Sequence, residues 1–247
     1  MTTAILSALP DEQASLVARL GRPQRLTHAG RSFWKGELCD RPVVLALSGI
    51  GKVAAATTAT ALIEHFGVAR IVFTGVAGGL GDGVNVGDVV VAETFLQHDM
   101  DASPLFPRWE LPGYARTRLD CDAHLSTLLR DAARNCLSGA GRLPGLDDGA
   151  HRVHHGLVAS GDRFVSSAQE ARQLSEGLGL AGHNVLAVEM EGAAVAQVCL
   201  DYAIPFAAIR TISDRADDTA HVDFAHFVQT VASRYAEHMV RVLMQTL

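Results

Sequence analysis

Four carboxylates sit where short apolar runs give way to polar turns. They are Glu12 in Ala8-Leu9-Pro10-Asp11-Glu12, Glu189 and Glu191 in Glu189-Met190-Glu191, and Asp214 in Ser213-Asp214. A carboxylic acid that keeps its proton can donate it to a leaving group, and an ionised one can take a proton from water. A pair of them therefore supplies general acid–base chemistry. An ordinary aspartate, with a pKa of about 3.9, is ionised near neutrality, so an acid role for Asp214 requires a site that favours its protonated form. Each residue also has a plain structural use. Glu12 suits the first turn of a helix, where the dipole favours an acid, with Asp11 as its neighbouring alternative, and Asp214 suits a turn or helix cap. Glu189 and Glu191 are expected to point to different sides of the element that carries them, one toward a substrate and the other structural.

Glycine turns lie beside these carboxylates: Ser48-Gly49-Ile50-Gly51, Thr74-Gly75-Val76-Ala77-Gly78-Gly79 and Ser160-Gly161-Asp162. Glycine lets a backbone approach a ligand closely. Gly49-Ile50-Gly51-Lys52-Val53-Ala54 fits G-x-G-x-x-A, but the acid expected about 20 residues on, at the end of the next strand, is missing. The Walker A pattern fails because Val53 follows Lys52. A tight strand-to-helix turn is the better reading, with Lys52 as a solvated first-turn residue. His151-Arg152-Val153-His154-His155 enters a strand that splits its imidazoles between faces, so no metal is expected. His98-Asp99-Met100-Asp101 is either an edge of the site or a His–Asp pair that steadies a loop.

The elements that must position these groups alternate between strand and helix. Strands are predicted at residues 4–8, 32–38, 43–48, 70–77, 87–95, 155–160, 184–188 and 206–212. Helices are predicted at 11–20, 53–66, 123–136, 168–176, 190–202 and 224–245, with a Gly/Pro/Asp-rich connection at 139–149. Near-continuous apolar strands alternating with helices indicate an α/β fold: a single domain over residues 1–247 with a mixed, largely parallel central sheet flanked by helices. Ligands in such folds bind beyond the carboxyl ends of the strands, where the carboxylates and glycines lie.

Composition excludes several classes. The chain has 247 residues, 48% hydrophobic and 19% charged, enough for a large core. A net charge of -6 argues against a nucleic-acid binder. No run of about 18 apolar residues exists to span a membrane, and the N-terminus lacks the basic start of a signal peptide. Cys39, Cys121, Cys136 and Cys199 form no C-x-x-C pair and read as reduced thiols of a cytoplasmic protein.

The segments together resemble the 5′-methylthioadenosine/S-adenosylhomocysteine nucleosidase family, within the wider nucleoside phosphorylase superfamily. The islands are Ser48 to Ala56, Thr74-Gly75 with Ala77-Gly78-Gly79-Leu80, Val86-Gly87-Asp88, His98-Asp99 with Asp101, and Leu111-Pro112-Gly113. Further on come Ser160-Gly161-Asp162 with Phe164, Val188-Glu189-Met190-Glu191, and Pro205-Phe206 leading to Arg210, Ile212-Ser213-Asp214 and Ala216-Asp217. They run in order along essentially the whole chain.

The resemblance implies a nucleoside phosphorylase-like α/β domain, usually paired as a homodimer. It also implies hydrolysis of the N-glycosidic bond of methylthioadenosine or S-adenosylhomocysteine, releasing adenine without a metal or organic cofactor. Carried onto this chain, it makes Asp214 the acid that protonates the purine and Glu12 the base that activates water. Glu191 then binds the ribose hydroxyls, Met190 lies against the sugar, Phe164 stacks on adenine and the Val165 backbone reads the base edge. Arg210 orients the water or the carboxylates. Gly78 and Ser213 join the substrate-binding set, and Leu9, Ile50 and Phe224 surround the 5′-thioether. The 102–112 loop of a partner subunit closes the site. Three departures bear on substrate choice: Val76 replaces serine, Leu9 replaces methionine, and the 102–112 loop differs in content.

Three rival functions share parts of this pattern. A purine nucleoside phosphorylase needs an arginine-rich phosphate pocket beside the first glycine turns, and none is present there. A nucleosidase for an aminofutalosine-type nucleoside fits the departures. A non-catalytic purine-nucleoside sensor does not need an acid and a base together.

Overall fold

The apolar runs form the strands of one ten-stranded mixed sheet. The computed structural model describes residues 1–138, 151–216, 227 and 231–247. In chain order the strands are β1 (Thr3–Ser7), β2 (Gly21–His28), β3 (Arg31–Leu38), β4 (Arg41–Leu47), β5 (Arg70–Gly79), β6 (Val89–Gln97), β7 (Leu119–Asp120), β8 (Val153–Ser160), β9 (Val185–Glu189) and β10 (Phe206–Asp214). The helices are α1 (Pro10–Ala18), α2 (Lys52–Glu64), α3 (Ala123–Leu137), α4 (Ala168–Leu180), α5 (Gly192–Asp201) and α6 (Ser233–Thr246).

Two parallel blocks make the centre of the sheet. One is β4-β1-β5-β10 and the other β6-β8-β9. They run antiparallel to each other and meet twice, at β10–β6 and at β5–β9. These pairings close a ring through β5, β10, β6, β8 and β9. The tails of β5 and β9 meet with Gly78 opposite Val188 and Gly79 opposite Ala187. That meeting brings the glycine turn after β5 and the carboxylates after β9 to one place.

Helices cover both faces, each through an apolar stripe. On one face α2 and α5 bury Ala55, Ala59, Leu62, Ala193 and Val195 against the sheet. On the other, α1, α3 and α6 bury Leu16, Leu129, Tyr235, Met239 and Leu243. Full burial of the leucine, valine and methionine side chains among these contributes about 1.5–3 kcal/mol each. No described helix is long and apolar enough to cross a membrane.

Several boundaries differ from expectation. Strand β2 has no counterpart among the expected strands, because Gly-Arg-Pro-Gln-Arg-Leu-Thr-His carries no apolar alternation and is mostly exposed. It forms by antiparallel pairing with β3 at the sheet edge, where Pro23 falls in a register shift between Gly21 and Gln24. Helix α5 begins at Gly192 rather than at Met190, leaving Glu191 as its N-cap. The described part of the expected last helix runs over Ser233–Thr246, and Phe227 is also helical. The expected 139–149 connection, Phe224 and Asp217 lie outside the described residues.

Candidate active site

Glu12 is placed by the start of α1. Leu9 is the N-cap and Pro10 the first helical residue, where its missing N–H costs nothing. Glu12, in the first turn, folds back so that its Oε2 accepts from the amides of Ala8 and Leu9, each at 2.8 Å. The Val76 amide of β5 donates to Oε1 at 3.1 Å. A Cβ on Gly75 would lie 3.1 Å from Glu12 Oε1, so glycine is what admits the carboxylate beside β5. The side chain thus does both things expected of it, capping the helix and reaching the site, whereas Asp11 is exposed. Burial pushes the Glu12 pKa up, against the lowering effects of the Leu9 amide, the Arg210 charge and the other two amides.

Asp214 ends β10, a strand buried along its whole length. An irregularity between Ile212 and Asp214 shifts the pairing with β5 and sets Asp214 opposite Gly78. Such a bulge re-aims a side chain. Ser213 Oγ donates to Asp214 Oδ2 at 2.7 Å, and the Ala216 amide donates to Oδ1 at 2.8 Å. The second bond is the turn cap expected of an aspartate here, and the same carboxylate lines the cavity.

Glu189 and Glu191 both line that cavity, which corrects the expectation that they diverge. Alternate residues of a strand share a face, and Glu191 sits just past the end of β9, at the junction with α5. Their partners separate their tasks. Glu189 accepts from Arg210 Nη2 at 2.7 Å, from the Gly192 amide at 2.8 Å, and from Ser160 Oγ. Glu191 accepts from the Gly51 amide at 2.8 Å. The carboxyl of Glu191 is pushed up to about 8 by burial and the nearby Glu189 charge, opposed by the Gly51 amide and Arg210.

Arg210 meets its expectation at a carboxylate, Glu189, and not at the cavity wall. It does not line the cavity and is 1% exposed. Besides Glu189, its guanidinium donates to the Phe73 and Ile209 carbonyls and lies 4.1 Å from the centre of the Phe73 ring. It acts on the site from beneath, as a fixed positive charge. Lys52, expected in solvent, instead donates through Nζ to Asp99 at 2.6 Å and to Gln97 at 3.0 Å.

The cavity holds about 410 Å³, the size of a small-ligand pocket. Its walls bring together Glu12, Glu191 and Asp214 with Met190, Gly78 and Ser213. Ile50, Phe164 and Val165 complete the expected lining. Phe164 and Ile50 stand at the mouth with 42% and 61% exposure. Expectation passed over Arg163, Ala77 and Val188 as lining residues. Arg163 is tied to Glu170 at 2.9 Å. Ala77 and Val188 belong to strands already placed beside the site, so strand-tail position was the signal that marked them.

The Glu191 environment has a measurable consequence. Its folded pKa of about 8 lies above the ordinary 4.5, so the group's contribution to stability is present below the ordinary value and is lost as pH rises through the folded one. Glu191→Gln is therefore expected to melt with wild-type protein near pH 5 and above it by pH 8 in the absence of ligand. The gap should be about 2–4 °C for each kcal/mol of relieved charge burial. Thermal melts of both proteins across that range check it, and a gap that stays flat or reverses contradicts the assignment.

Comparison with known proteins agrees with this geometry. A family model described as the phosphorylase superfamily matches residues 2–247. A Bacillus thuringiensis (strain Al Hakam) 5′-methylthioadenosine/S-adenosylhomocysteine nucleosidase is 34% identical over 244 residues, covering 98% of each chain. The crystal structure of the nucleosidase of that name from Neisseria meningitidis, in complex with methylthio-immucillin-A, superposes with a TM-score of 0.88. It is 35% identical and covers 100% of this chain and 99% of that one. A futalosine hydrolase of Helicobacter pylori strain 26695 superposes with a TM-score of 0.85 at 29% identity, covering 100% of this chain and 98% of that one.

Proposed function

The chain belongs to the phosphorylase superfamily, and from that premise we propose that it hydrolyses the N-glycosidic bond of 5′-methylthioadenosine and S-adenosylhomocysteine, releasing adenine. The observation that carries the reading is the convergence of Glu12 and Asp214 on one cavity whose walls also hold Glu191, Met190 and Phe164. Asp214 protonates the leaving purine, Glu12 takes a proton from the attacking water, and Glu191 accepts from the ribose hydroxyls. Met190 lies against the sugar and Phe164 on the adenine face, with the Val165 backbone at the base edge. Leu9 and Ile50 give the 5′ end an apolar wall.

Hydrolysis is favoured over phosphorolysis by charge. Among the described residues, four carboxyl groups line the cavity, and the one lining guanidinium, Arg163, is paired with Glu170. Phosphate entering there meets the ionised Glu12 and no unpaired arginine fork among the described lining residues to hold it. The neighbour that is a futalosine hydrolase shares the fold, so an aminofutalosine-type nucleoside belongs in the same assay. The test is adenine release from methylthioadenosine, S-adenosylhomocysteine, adenosine, inosine and an aminofutalosine-type nucleoside, each with and without phosphate. Phosphate-independent release from the two thioether nucleosides is expected. A requirement for phosphate, or binding without turnover, contradicts the proposal.

Residues 1–247 are taken as one domain, supported by the continuous sheet and the extent of the family match. A homodimer is supported by the apolar side chains presented around the mouth and on the 102–112 loop: Ile50, Val53, Leu105 and Phe106 are all exposed. The base of that loop is fixed by Trp109, whose Nε1 donates to the His98 carbonyl at 3.0 Å. In the dimer the loop of one subunit closes the 5′ end of its partner's cavity. Four free thiols support a cytoplasmic location.

A further inference from the structure

Three residues outside the cavity wall form a closed ring at its mouth. The Lys52 amide donates to Asp162 Oδ1 at 2.7 Å, the Asp162 amide donates to Asp99 Oδ2 at 2.9 Å, and Lys52 Nζ donates to Asp99 Oδ1 at 2.6 Å. The ring joins three segments remote in sequence: the start of α2, the residues after β6, and the residues after β8. The glycines permit the approach. Gly51 has φ +94°, and a Cβ there would lie 3.1 Å from Asp162 Oδ1. Gly161, beside Asp162, packs so closely on the His98 ring that a side chain would collide with it.

The amide next to the ring is the one that holds Glu191. Gly51 and Lys52 present successive N–H groups, and Gly51 donates to Glu191 Oε1 at 2.8 Å while Lys52 is held on Asp162. A second arm reaches the helix that Glu191 caps. Lys52 Nζ donates to Gln97 Oε1 at 3.0 Å, and Gln97 Nε2 donates to Gln197 of α5 at 2.8 Å. The arrangement thus fixes the donor of the Gly51–Glu191 bond and braces the helix behind its acceptor.

We propose that Lys52, Asp99 and Asp162 are positioning residues that hold the Gly51 amide on Glu191 and thereby set the affinity for the ribose hydroxyls. The inference rests on the nucleosidase reading for the identity of what Glu191 binds. Ribose hydroxyls donate best to an ionised carboxylate. Burial, Glu189 and Glu12 oppose that ionisation, whereas Arg210 and the Gly51 amide favour it. Losing the amide leaves Glu191 protonated to higher pH and free to turn away from the sugar. The chemistry at Asp214 and Glu12 is not touched by the ring.

The test measures kcat and KM for methylthioadenosine in wild-type, Lys52→Met, Asp99→Asn and Lys52→Arg proteins. It adds hydrogen exchange over residues 49–53 in the ligand-free state. Lys52→Met and Asp99→Asn are expected to raise KM about tenfold with kcat within about twofold, and to speed exchange over 49–53 while α6 is unchanged. Lys52→Arg keeps the cation and its donors and is expected to recover most of the affinity. Unchanged KM, a matching fall in kcat, or an arginine variant no better than methionine overturns the proposal. If Lys52→Met does not fold, Asp99→Asn, which preserves size, decides by the same readings. If wild-type protein leaves methylthioadenosine uncut, the nucleosidase reading falls. Exchange, which needs no substrate, then judges the ring, and an unaltered rate over 49–53 refutes it.

Discussion

Asp214→Asn is expected to lower kcat for methylthioadenosine by about 10²–10⁴, the range for loss of a general acid. The structure makes this substitution a clean probe. Asparagine keeps a carbonyl oxygen to accept from the Ala216 amide, and its NH2 can donate to Ser213 Oγ, so the bonds at 2.8 and 2.7 Å are both replaced. The turn after β10 therefore survives, as does the pairing of residue 214 with Gly78. What is lost is the proton for the purine. Adenine leaves poorly as an anion, so the barrier rises while the nucleoside still binds. The measurement is kcat beside the affinity for the intact nucleoside. Turnover near that of wild type removes Asp214 from the role, and a large loss of folded protein reassigns the effect to the cap.

Glu12→Gln is expected to abolish most hydrolysis, again by about 10² or more, with the nucleoside still bound. The carboxylate has about four acceptor positions. Three are taken by the amides of Ala8, Leu9 and Val76, which leaves a lone pair on Oε1, the oxygen with a single protein donor, to receive a proton from water. Burial raises the basicity of that oxygen and so improves it as a base. Glutamine cannot serve. If its carbonyl stays on the Ala8 and Leu9 amides, its NH2 faces the Val76 N–H, donor against donor. A stability loss of about 1–3 kcal/mol should accompany the loss of rate, the cost of an unsatisfied buried donor. Single-turnover hydrolysis and a denaturant melt separate the two effects. Full activity in Glu12→Gln eliminates it as the base.

The alternation of strands and helices and the position of each carboxylate at a strand tail were legible in the chain itself. Both are local: apolar runs such as Arg70 to Ala77 and the turns that end them announce strands, and Pro10 followed by acidic residues announces α1. The ordered islands from Ser48 to Asp214 also pointed to the family, because their residue types and spacing need no coordinates to be recognised. Tertiary structure decided what those groups do to one another. Glu189 and Glu191 differ by only one intervening residue, yet Arg210 neutralises the first from beneath while the Gly51 amide meets the second. Neither partner is a neighbour in sequence. Lys52, a plain first-turn cation by local rules, is claimed by Asp99 across 47 residues. Edge strand β2 exists because β3 offers it hydrogen-bonding groups, with no apolar pattern of its own. Local sequence selects elements through backbone preference and apolar period. Charge placement and pKa depend on which distant donors and acceptors the closed sheet brings within about 3 Å, and that is set only when the tails of β5 and β9 meet.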